Sequence, residues 1–167
     1  VAAITLNRQE PWLASMLEGP LVLVPTVCPV CPRTVAIPGG DTVLGSDRGG
    51  AEGPRRDQTI AGFQMSVAEI TVGEIRAFEA ATGTRIPRSC FVWTADGRLR
   101  SRNGAYWGAP GFDVTEEHPA ACLNWEDAQA YVDWLNAEDP RGGWRLPSEA
   151  EYEYAARGGT TSPYPWN

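Results

Sequence analysis

Three segments of the chain repeat apolar residues at the spacing of an amphipathic helix, and each begins with a residue that favours a helix N-terminus. The first begins at Thr71 and the third at Ser148, and a glutamate follows each of them three positions later, which is the capping-box pattern. The second begins at Asn124, and Gly83 and Gly158 end the first and third helices. Apolar positions at i, i+3, i+4 and i+7 predict one buried stripe on the second helix: Ala128, Tyr131, Val132 and Leu135.

Strands are predicted where short apolar runs are bounded by turn-forming residues. Residues 34–37 form such a run, and a Pro-Gly-Gly sequence ends it. Residues 63–67 alternate apolar and polar side chains like a strand with one buried face. Between these strands, residues 45–58 predict a polar, glycine-rich loop. Residues 84–121 show no clear period, and an irregular stretch of this length is usually functional or held by cross-links.

The first 32 residues differ in composition from the rest of the chain. A short helix is predicted over residues 10–19, and a strand or an extended arm over residues 21–24. Prolines at positions 20, 25, 29 and 32 favour a tether over the interior of a sheet. We therefore predict an N-terminal extension over residues 1–32, which contains a CxxC sequence and packs on the domain or on a partner. Residues 33–167 form the domain itself.

Composition narrows the classes of function. The chain has 167 residues, the length of one domain, and a formal net charge of −7. This charge excludes nucleic acid or an anionic membrane as the main partner, because phosphate binding needs a positive patch. The 14 basic residues are all arginine, which excludes mechanisms that need a lysine, such as Schiff-base formation. The longest apolar run, residues 21–27, is shorter than the ~20 residues of a membrane span, so we expect no transmembrane segment.

The four cysteines are interpreted as two structural disulfides. A zinc site would need a second CxxC or CxxH pair, and a thioredoxin-type site would need its CxxC at the start of a helix, so both alternatives fit less well. Pairing Cys90 with Cys122 would staple the irregular stretch to the second helix, and pairing Cys28 with Cys31 would close a local ring. Two such staples favour an oxidising compartment.

The other residue types that form metal or catalytic sites are sparse. His118 is the sole histidine, so a multi-histidine metal site is excluded, and no nucleophile stands out that it could activate. We expect it to have a structural role at the end of a loop. No EF-hand pattern is present, and five loop carboxylates are predicted to be solvated: Asp47, Asp57, Asp113, Glu116 and Glu117. We assign no catalytic, cofactor-binding or metal-binding residue.

The third helix carries charges of both signs on one face. Glu149 and Glu153 are four residues apart, as are Glu153 and Arg157, and Arg145 lies just before the helix. This spacing predicts a partly buried structural ladder of these four residues.

Tryptophan is abundant, with 7 residues. Trp125, Trp134 and Trp144 lie at helix edges, where we predict that they belong to the core. The remaining four are predicted to form a ligand platform or an interface, because tryptophans in loops commonly do so: Trp12, Trp93, Trp107 and Trp166.

A highly specific block, RLPSEAEYEYAARGG, occupies residues 145–159. Shorter motifs accompany it: IPGG (37–40), LGS (44–46), FQM (63–65), EIT (69–71), HP (118–119), LNWEDA (123–128) and YPW (164–166). Together, over residues 33–167, they resemble the formylglycine-generating enzyme (sulfatase-modifying factor) family. The CxxC and its following proline, with a cysteine pair placed like Cys90 and Cys122, are similar to one secreted bacterial branch of that family.

The resemblance implies an α+β fold, the formylglycine-generating-enzyme-type variant of the C-type-lectin fold, rich in irregular structure and incomplete in this chain. The family includes copper-dependent oxidases that convert a sulfatase cysteine to formylglycine. It also includes domains of iron-dependent sulfoxide synthases, maturation factors for a peptide siderophore, and ligand-binding or accessory domains. Family domains continue for ~100 residues beyond the YPW motif, and that part holds the calcium ligands and the oxidases' cysteine pair. No catalytic residue is transferred to this chain, and calcium or copper is expected only together with that C-terminal part.

Three functional hypotheses follow. The first is a non-catalytic accessory or binding subunit that acts with protein partners in a larger extracytoplasmic assembly, periplasmic or secreted. The alternative is the N-terminal half of a formylglycine-generating-type oxidase or maturation enzyme, whose catalytic half lies on another segment. The third is a small structural or interaction protein whose fold is completed by strands of a companion chain.

Overall fold

The computed structural model describes residues 28–47 and 53–160, together with the backbone of residues 5–6 and 23–24. Three helices are α1 (Val72–Thr82), α2 (Trp125–Glu138) and α3 (Glu149–Arg157). The strands in these ranges are β1 (Thr5–Leu6), β2 (Leu23–Val24), β3 (Thr34–Ile37), β4 (Gly40–Leu44), β5 (Arg56–Ile60), β6 (Phe63–Ser66), β7 (Ser89–Trp93), β8 (Leu99–Asn103) and β9 (Trp144–Arg145). The fold is α+β, as predicted.

The three predicted helices and their caps are confirmed. Thr71, Asn124 and Ser148 are the N-caps, and each takes part in a complete capping box with the residue three positions later. Gly83 and Gly158 adopt left-handed conformations with φ of 73° and 54°, which end α1 and α3 at the predicted glycines. These boundaries were predictable because a cap is a local hydrogen-bonding arrangement.

The central strand β6 is buried on both faces. It lies in the middle of a five-stranded sheet of order β2-β3-β6-β1-β9, between β3 and β1. Phe63 and Met65 pack in a cluster that α3 covers, while Gln64 and Ser66 are also buried. Gln64 Oε1 accepts a hydrogen bond from the Thr34 hydroxyl at 3.0 Å. The predicted half-buried strand is therefore wrong about burial, because a paired glutamine occupies the face assigned to solvent.

The N-terminal segment contributes two strands to this sheet. β1 lies between β6 and β9, and β2 pairs with β3 at the edge. Both strands are two residues long and contain no proline, so the prolines of the segment do not interrupt the hydrogen-bonded ladder. The predicted strand or arm over residues 21–24 contains β2, whereas the place of β1 between β6 and β9 was not predicted. The helix predicted over residues 10–19 lies outside the described residues, and the division into residues 1–32 and 33–167 stays a prediction.

The larger core cluster lies between α1 and α2. Phe78 meets Tyr131 edge-to-face with ring centroids 5.8 Å apart, and Trp134 approaches Phe78 at 5.6 Å. Trp134 and Trp144 are buried, as predicted. Trp125 is 65% exposed, so its predicted place in the core is wrong. The reason is that it opens α2, whose first turn lies at the surface.

A regular hairpin, β7–β8, occupies part of the stretch predicted to be irregular. Ala95, Asp96 and Gly97 form its three-residue turn, where Gly97 has a φ of 71° and Thr94 N–H donates to the Arg98 carbonyl at 2.9 Å. The Asp-Gly pair was the available signal, but the flanking residues are mostly exposed and lack a buried alternation. The predicted loop over residues 45–58 also gives way to β5 from Arg56, and residues 48–52 are not described.

Candidate interaction site

One face of the β7–β8 hairpin carries exposed apolar side chains. Trp93 is cross-strand partner to Leu99, and Phe91 lies two residues before Trp93 on the same face. Phe91, Trp93 and Leu99 are 69%, 74% and 53% exposed, and we call these three residues the aromatic face. Trp93, predicted to be an interface residue, is therefore accessible. Phe91 and Leu99 were not predicted, because the sequence did not reveal the hairpin that aligns them.

The opposite face of the hairpin is fastened to the body of the domain. Cys90 forms a disulfide with Cys122, two residues before the cap of α2, with the Cα atoms 5.4 Å apart. This pairing confirms the predicted staple between the stretch 84–121 and the second helix. Because side chains alternate along β7, the disulfide holds one face against the domain and leaves the aromatic face outward.

Arginines give the hairpin a local charge opposite to that of the chain. Arg98, Arg100 and Arg102 lie on or next to β8, whereas the complete chain has a net charge of −7. Asp96 is 3.8 Å from Arg98 and 3.4 Å from Arg100. The pKa of the Asp96 carboxyl is lowered, first by a hydrogen bond from the Thr94 hydroxyl and then by Arg100. The hairpin is thus a basic element on an acidic protein.

The loop after the hairpin is held against α1 by a buried carboxylate. Trp107 is 4% exposed, and its indole Nε1 donates to Glu79 Oε1 at 3.3 Å. Glu79 is also buried and accepts a 2.8 Å hydrogen bond from the Ile86 backbone N–H. The Arg76 guanidinium lies 5.1 Å from the Trp107 ring centre. The prediction that Trp107 is an interface residue is wrong, because its N–H has a buried acceptor and its ring belongs to the core.

An open cavity of about 450 Å³ adjoins the end of β8. It lies between residues 102–105 of the hairpin end and residues 109–113 of the following loop. Phe112, which is 65% exposed, and Asp113 line it on the loop side. Gly111 of the loop lies beside Arg102 and Val92, so the cavity adjoins the face of the hairpin opposite the aromatic face.

The CxxC sequence is a closed and buried structure. Cys28 and Cys31 form a disulfide, as predicted, and are 1% and 8% exposed. With the Cys90–Cys122 bond, all four cysteines of the chain are paired. Two disulfides indicate an oxidising environment, either extracytoplasmic or in the lumen of the endoplasmic reticulum.

The predicted four-residue charge ladder is replaced by two separate ion pairs. Arg145 bonds to both carboxylate oxygens of Glu151, and its Nη1 is 2.7 Å from Oε2. Hydrogen bonds from Arg145 are the main reason that the pKa of Glu151 is lowered to about 2. Glu151 is the capping-box residue of α3, so its carboxylate turns back toward β9, where Arg145 lies. Glu149 instead points outward and is 3.7 Å from Arg56, so its predicted place in the ladder is wrong.

The second ion pair fastens α3 to the end of β4. Arg157 Nε donates to Glu153 Oε1 at 2.9 Å, and Gly45 N–H donates to the same oxygen at 2.9 Å. Burial raises the pKa of Glu153, but Arg157 and the Gly45 amide outweigh this and lower it. The predicted contact between Glu153 and Arg157 is therefore present, and its structural role stays a prediction.

The other residues for which the sequence predicted a role either lie apart from the hairpin or fall outside the residues that the structure describes. The Nδ1 atom of His118 accepts a 2.9 Å hydrogen bond from Thr115 N–H in its own loop. Among the described residues, no three His, Cys, Asp or Glu side chains cluster as a metal site would require. Trp12 and Trp166 lie outside the described residues. In the part of the chain that the structure covers, no helix is long and apolar enough to cross a membrane.

Comparison with known proteins decides the family. The model of the sulfatase-modifying factor enzyme 1-like domain matches residues 23–167, which is most of the chain. The chain belongs to the sulfatase-modifying factor family. The match begins ten residues before the predicted domain start at residue 33, and so includes the CxxC and strand β2.

Relatives within this family include both inactive and active proteins. The chain is 30% identical to the inactive C-alpha-formylglycine-generating enzyme 2 of Mus musculus, over 95% of this chain and 62% of that protein. It is 33% identical to the formylglycine-generating enzyme of Thermomonospora curvata, over 79% of this chain and 51% of that protein. The solved structure of PvdO from Pseudomonas aeruginosa is similar, with a TM-score of 0.71, 29% identity, and coverage of 90% of this chain and 56% of that one. The chain spans between half and two thirds of the length of these relatives.

Proposed function

We propose that this sulfatase-modifying factor domain is a non-catalytic binding module, and that it joins a larger periplasmic or secreted assembly through the β7–β8 hairpin. The observation that carries the proposal is the aromatic face, a set of apolar side chains more than half exposed on a disulfide-anchored hairpin. Exposed aromatic side chains on a rigid element are typical anchors of protein interfaces. A relative named inactive is 30% identical to this chain, so membership of the family does not require catalysis.

In the same proposal, the four cysteines of this chain have a structural role. The resemblance implies that oxidases of the family bind copper through a cysteine pair that lies beyond the YPW motif, and the ligands of copper there are free thiolates. All four cysteines of this chain are in disulfides, and the Cys28–Cys31 disulfide lies in the core. We therefore propose that these residues stabilise the domain, and that neither copper nor calcium binds within residues 28–160.

A second candidate is the N-terminal half of a formylglycine-generating-type enzyme. It is favoured by relatives named formylglycine-generating enzyme, of which this chain matches about half. In that case the described residues would form a scaffold, and the natural protein would bind copper through residues outside this chain.

The two candidates are separated by copper binding and turnover. The purified natural protein is titrated with Cu(I) against a chromogenic chelator, and a cysteine-containing sulfatase peptide is then assayed by mass for formylglycine. A binding module takes up no tight equivalent of Cu(I) and leaves the peptide unchanged. One bound equivalent together with formylglycine formation would establish the enzyme instead.

The interface is tested by matched tryptophan substitutions. Trp93→Ser removes the most exposed ring of the aromatic face, and Trp125→Ser removes a ring that is 65% exposed on α2. The tagged natural protein is isolated after cross-linking in intact cells, and the masses of its complexes are measured. We expect Trp93→Ser to lose a complex that the wild type and Trp125→Ser retain. Equal complexes for all three proteins would rule out the hairpin as the interface.

A further inference from the structure

We propose that the outer edge of β8 binds an extended segment of the partner as an added strand, and that this segment alternates apolar and acidic residues. The inference rests on the proposed function and deepens it, because it names the binding mode and the chemistry of the partner. Addition of a strand to an exposed sheet edge is a common way in which a protein binds a peptide segment.

Backbone hydrogen bonds show which groups of β8 are turned outward. Gly104 N–H bonds to the Arg88 carbonyl, and Thr94 N–H bonds to the Arg98 carbonyl, at the two ends of the hairpin. In an antiparallel ladder, hydrogen-bonded pairs alternate with pairs whose amides face away from the partner strand. By the register, Arg100 and Arg102 are in bonded pairs. The N–H and C=O groups of residues 99, 101 and 103 therefore point to the outer edge.

Exposure distinguishes β8 from β7. All five residues of β8 are exposed, whereas Cys90 and Val92 of β7 are half-buried. The disulfide at Cys90 also brings the start of α2 close to β7. No side chain among the described residues covers β8, so within that part of the chain an added strand has access to it, and the cavity at the end of β8 leaves room for its continuation.

The two faces of the hairpin determine the side chains that an added strand needs. Every second side chain would lie beside Leu99 and Ser101, on the aromatic face, where apolar residues bury surface. The intervening side chains would lie beside Arg100 and Arg102, where carboxylates form ion pairs. Charge complementarity therefore favours an alternating apolar and acidic segment.

The same arginines argue against a second copy of this chain as the occupant. Two β8 strands placed edge to edge would bring the Arg100 and Arg102 side chains of both copies to neighbouring positions, which like charges oppose. Arginine or lysine on an edge strand is a known means of preventing such pairing. A strand bearing carboxylates meets no such barrier.

The probe is an end-capped, fluorescently labelled peptide of nine residues in which valine and glutamate alternate. Its binding to the purified natural protein is measured by anisotropy. Three control peptides have alternating valine and lysine, the same residues arranged in two blocks, or N-methyl groups on the backbone amides of every second residue. We expect only the first peptide to bind, and its affinity to fall as salt is raised.

Variants of the protein separate backbone pairing from contact with the aromatic face. Ser101→Pro removes an outward N–H that the hairpin itself does not use, and Ser101→Ala keeps it. We expect the proline variant to bind about tenfold more weakly, equal to 1.4 kcal/mol, and the alanine variant to bind like the wild type. Circular dichroism and the mass of the Cys90–Cys122 peptide check that the hairpin has folded. If Ser101→Pro does not fold, the N-methylated peptide tests the same hydrogen bonds on the wild type.

The outcomes distinguish this inference from the proposed function. Peptide binding that needs Trp93 but tolerates both Ser101→Pro and N-methylation would overturn strand addition and leave the interface in place. Absence of binding at about 1 mM peptide would also overturn it. Amides at residues 99, 101 and 103 that already resist hydrogen exchange in the free protein would mean that the edge is occupied, which refutes a partner strand. The complexes seen with Trp93→Ser test the proposed function independently of all these results.

Discussion

Removal of the Cys90–Cys122 disulfide should weaken the domain more than any single surface substitution. The bond joins residues 32 positions apart, and it restricts the unfolded chain by closing a loop of that length. The chain-entropy relation gives about 3.5–4 kcal/mol for such a loop. A double variant, Cys90→Ala with Cys122→Ala, should therefore lower the melting temperature by roughly 8–15 °C, since 1 kcal/mol corresponds to about 2–4 °C at this size.

The measurement is denaturant and thermal unfolding of wild type and double variant without reductant. Trp125→Ser is the control for surface change, and it should alter the free energy of unfolding by less than about 0.5 kcal/mol. If the double variant loses less than about 1 kcal/mol of unfolding free energy, the entropic argument is refuted.

Hydrogen exchange adds a local measurement, because the Cys90–Cys122 bond is the covalent link between the hairpin and the residues just before α2. Amides of β7 and β8 should exchange faster in the variant, while those of α1 should keep their order of protection.

Three further predictions concern the buried polar groups and ion pairs. Tyr131→Phe should be neutral or stabilise the protein by about 1 kcal/mol in thermal unfolding, since the buried Tyr131 hydroxyl has no hydrogen-bond partner among the described residues; a loss above about 1 kcal/mol would reveal a partner. Trp107→Phe should lower the free energy of unfolding by about 1–3 kcal/mol, because it removes a hydrogen-bond donor to the buried Glu79. Glu79→Gln added to Trp107→Phe should recover part of that free energy. If the effects of the two substitutions on the free energy of unfolding simply add, the two side chains are not coupled. The pKa of Glu151 is lowered from 4.5 to about 2, so its ion pair stabilises the fold above pH 4.5 and this stability is lost as the pH falls toward 2. Arg145→Gln should flatten the dependence of unfolding free energy on pH in that window, and an unchanged slope would show that the pair contributes nothing.

Local signals in the sequence predicted the helices well, and long-range packing accounts for the errors. The caps at Thr71 and Ser148 depend on residues three positions away, so they could be identified directly. The burial of Trp107 depends on Glu79, 28 residues earlier, and no spacing rule connects them. Likewise, both Glu149 and Glu151 are close to Arg145 in sequence. The direction of the chain between β9 and α3 decides which of the two carboxylates contacts Arg145.

The candidate site was predicted only in part, for a related reason. Trp93 was identified as an exposed ring because tryptophans outside regular helices often serve as anchors. Phe91 and Leu99 join it through cross-strand register, which becomes visible only when the hairpin is recognised. The motif at residues 145–159 identified the family, but it runs from the end of β9 through α3 and lies apart from the hairpin.

The position of β1 has a consequence for the order of folding. Thr5 and Leu6 pair on one side with residues 64–65 and on the other with residues 144–145. The sheet therefore cannot close during vectorial synthesis or export until almost the entire described chain has emerged. The high sequence separation of these contacts predicts slow acquisition of the native state. The Cys28–Cys31 bond closes a ring of local residues, so it can form long before that point, while the sheet is still open.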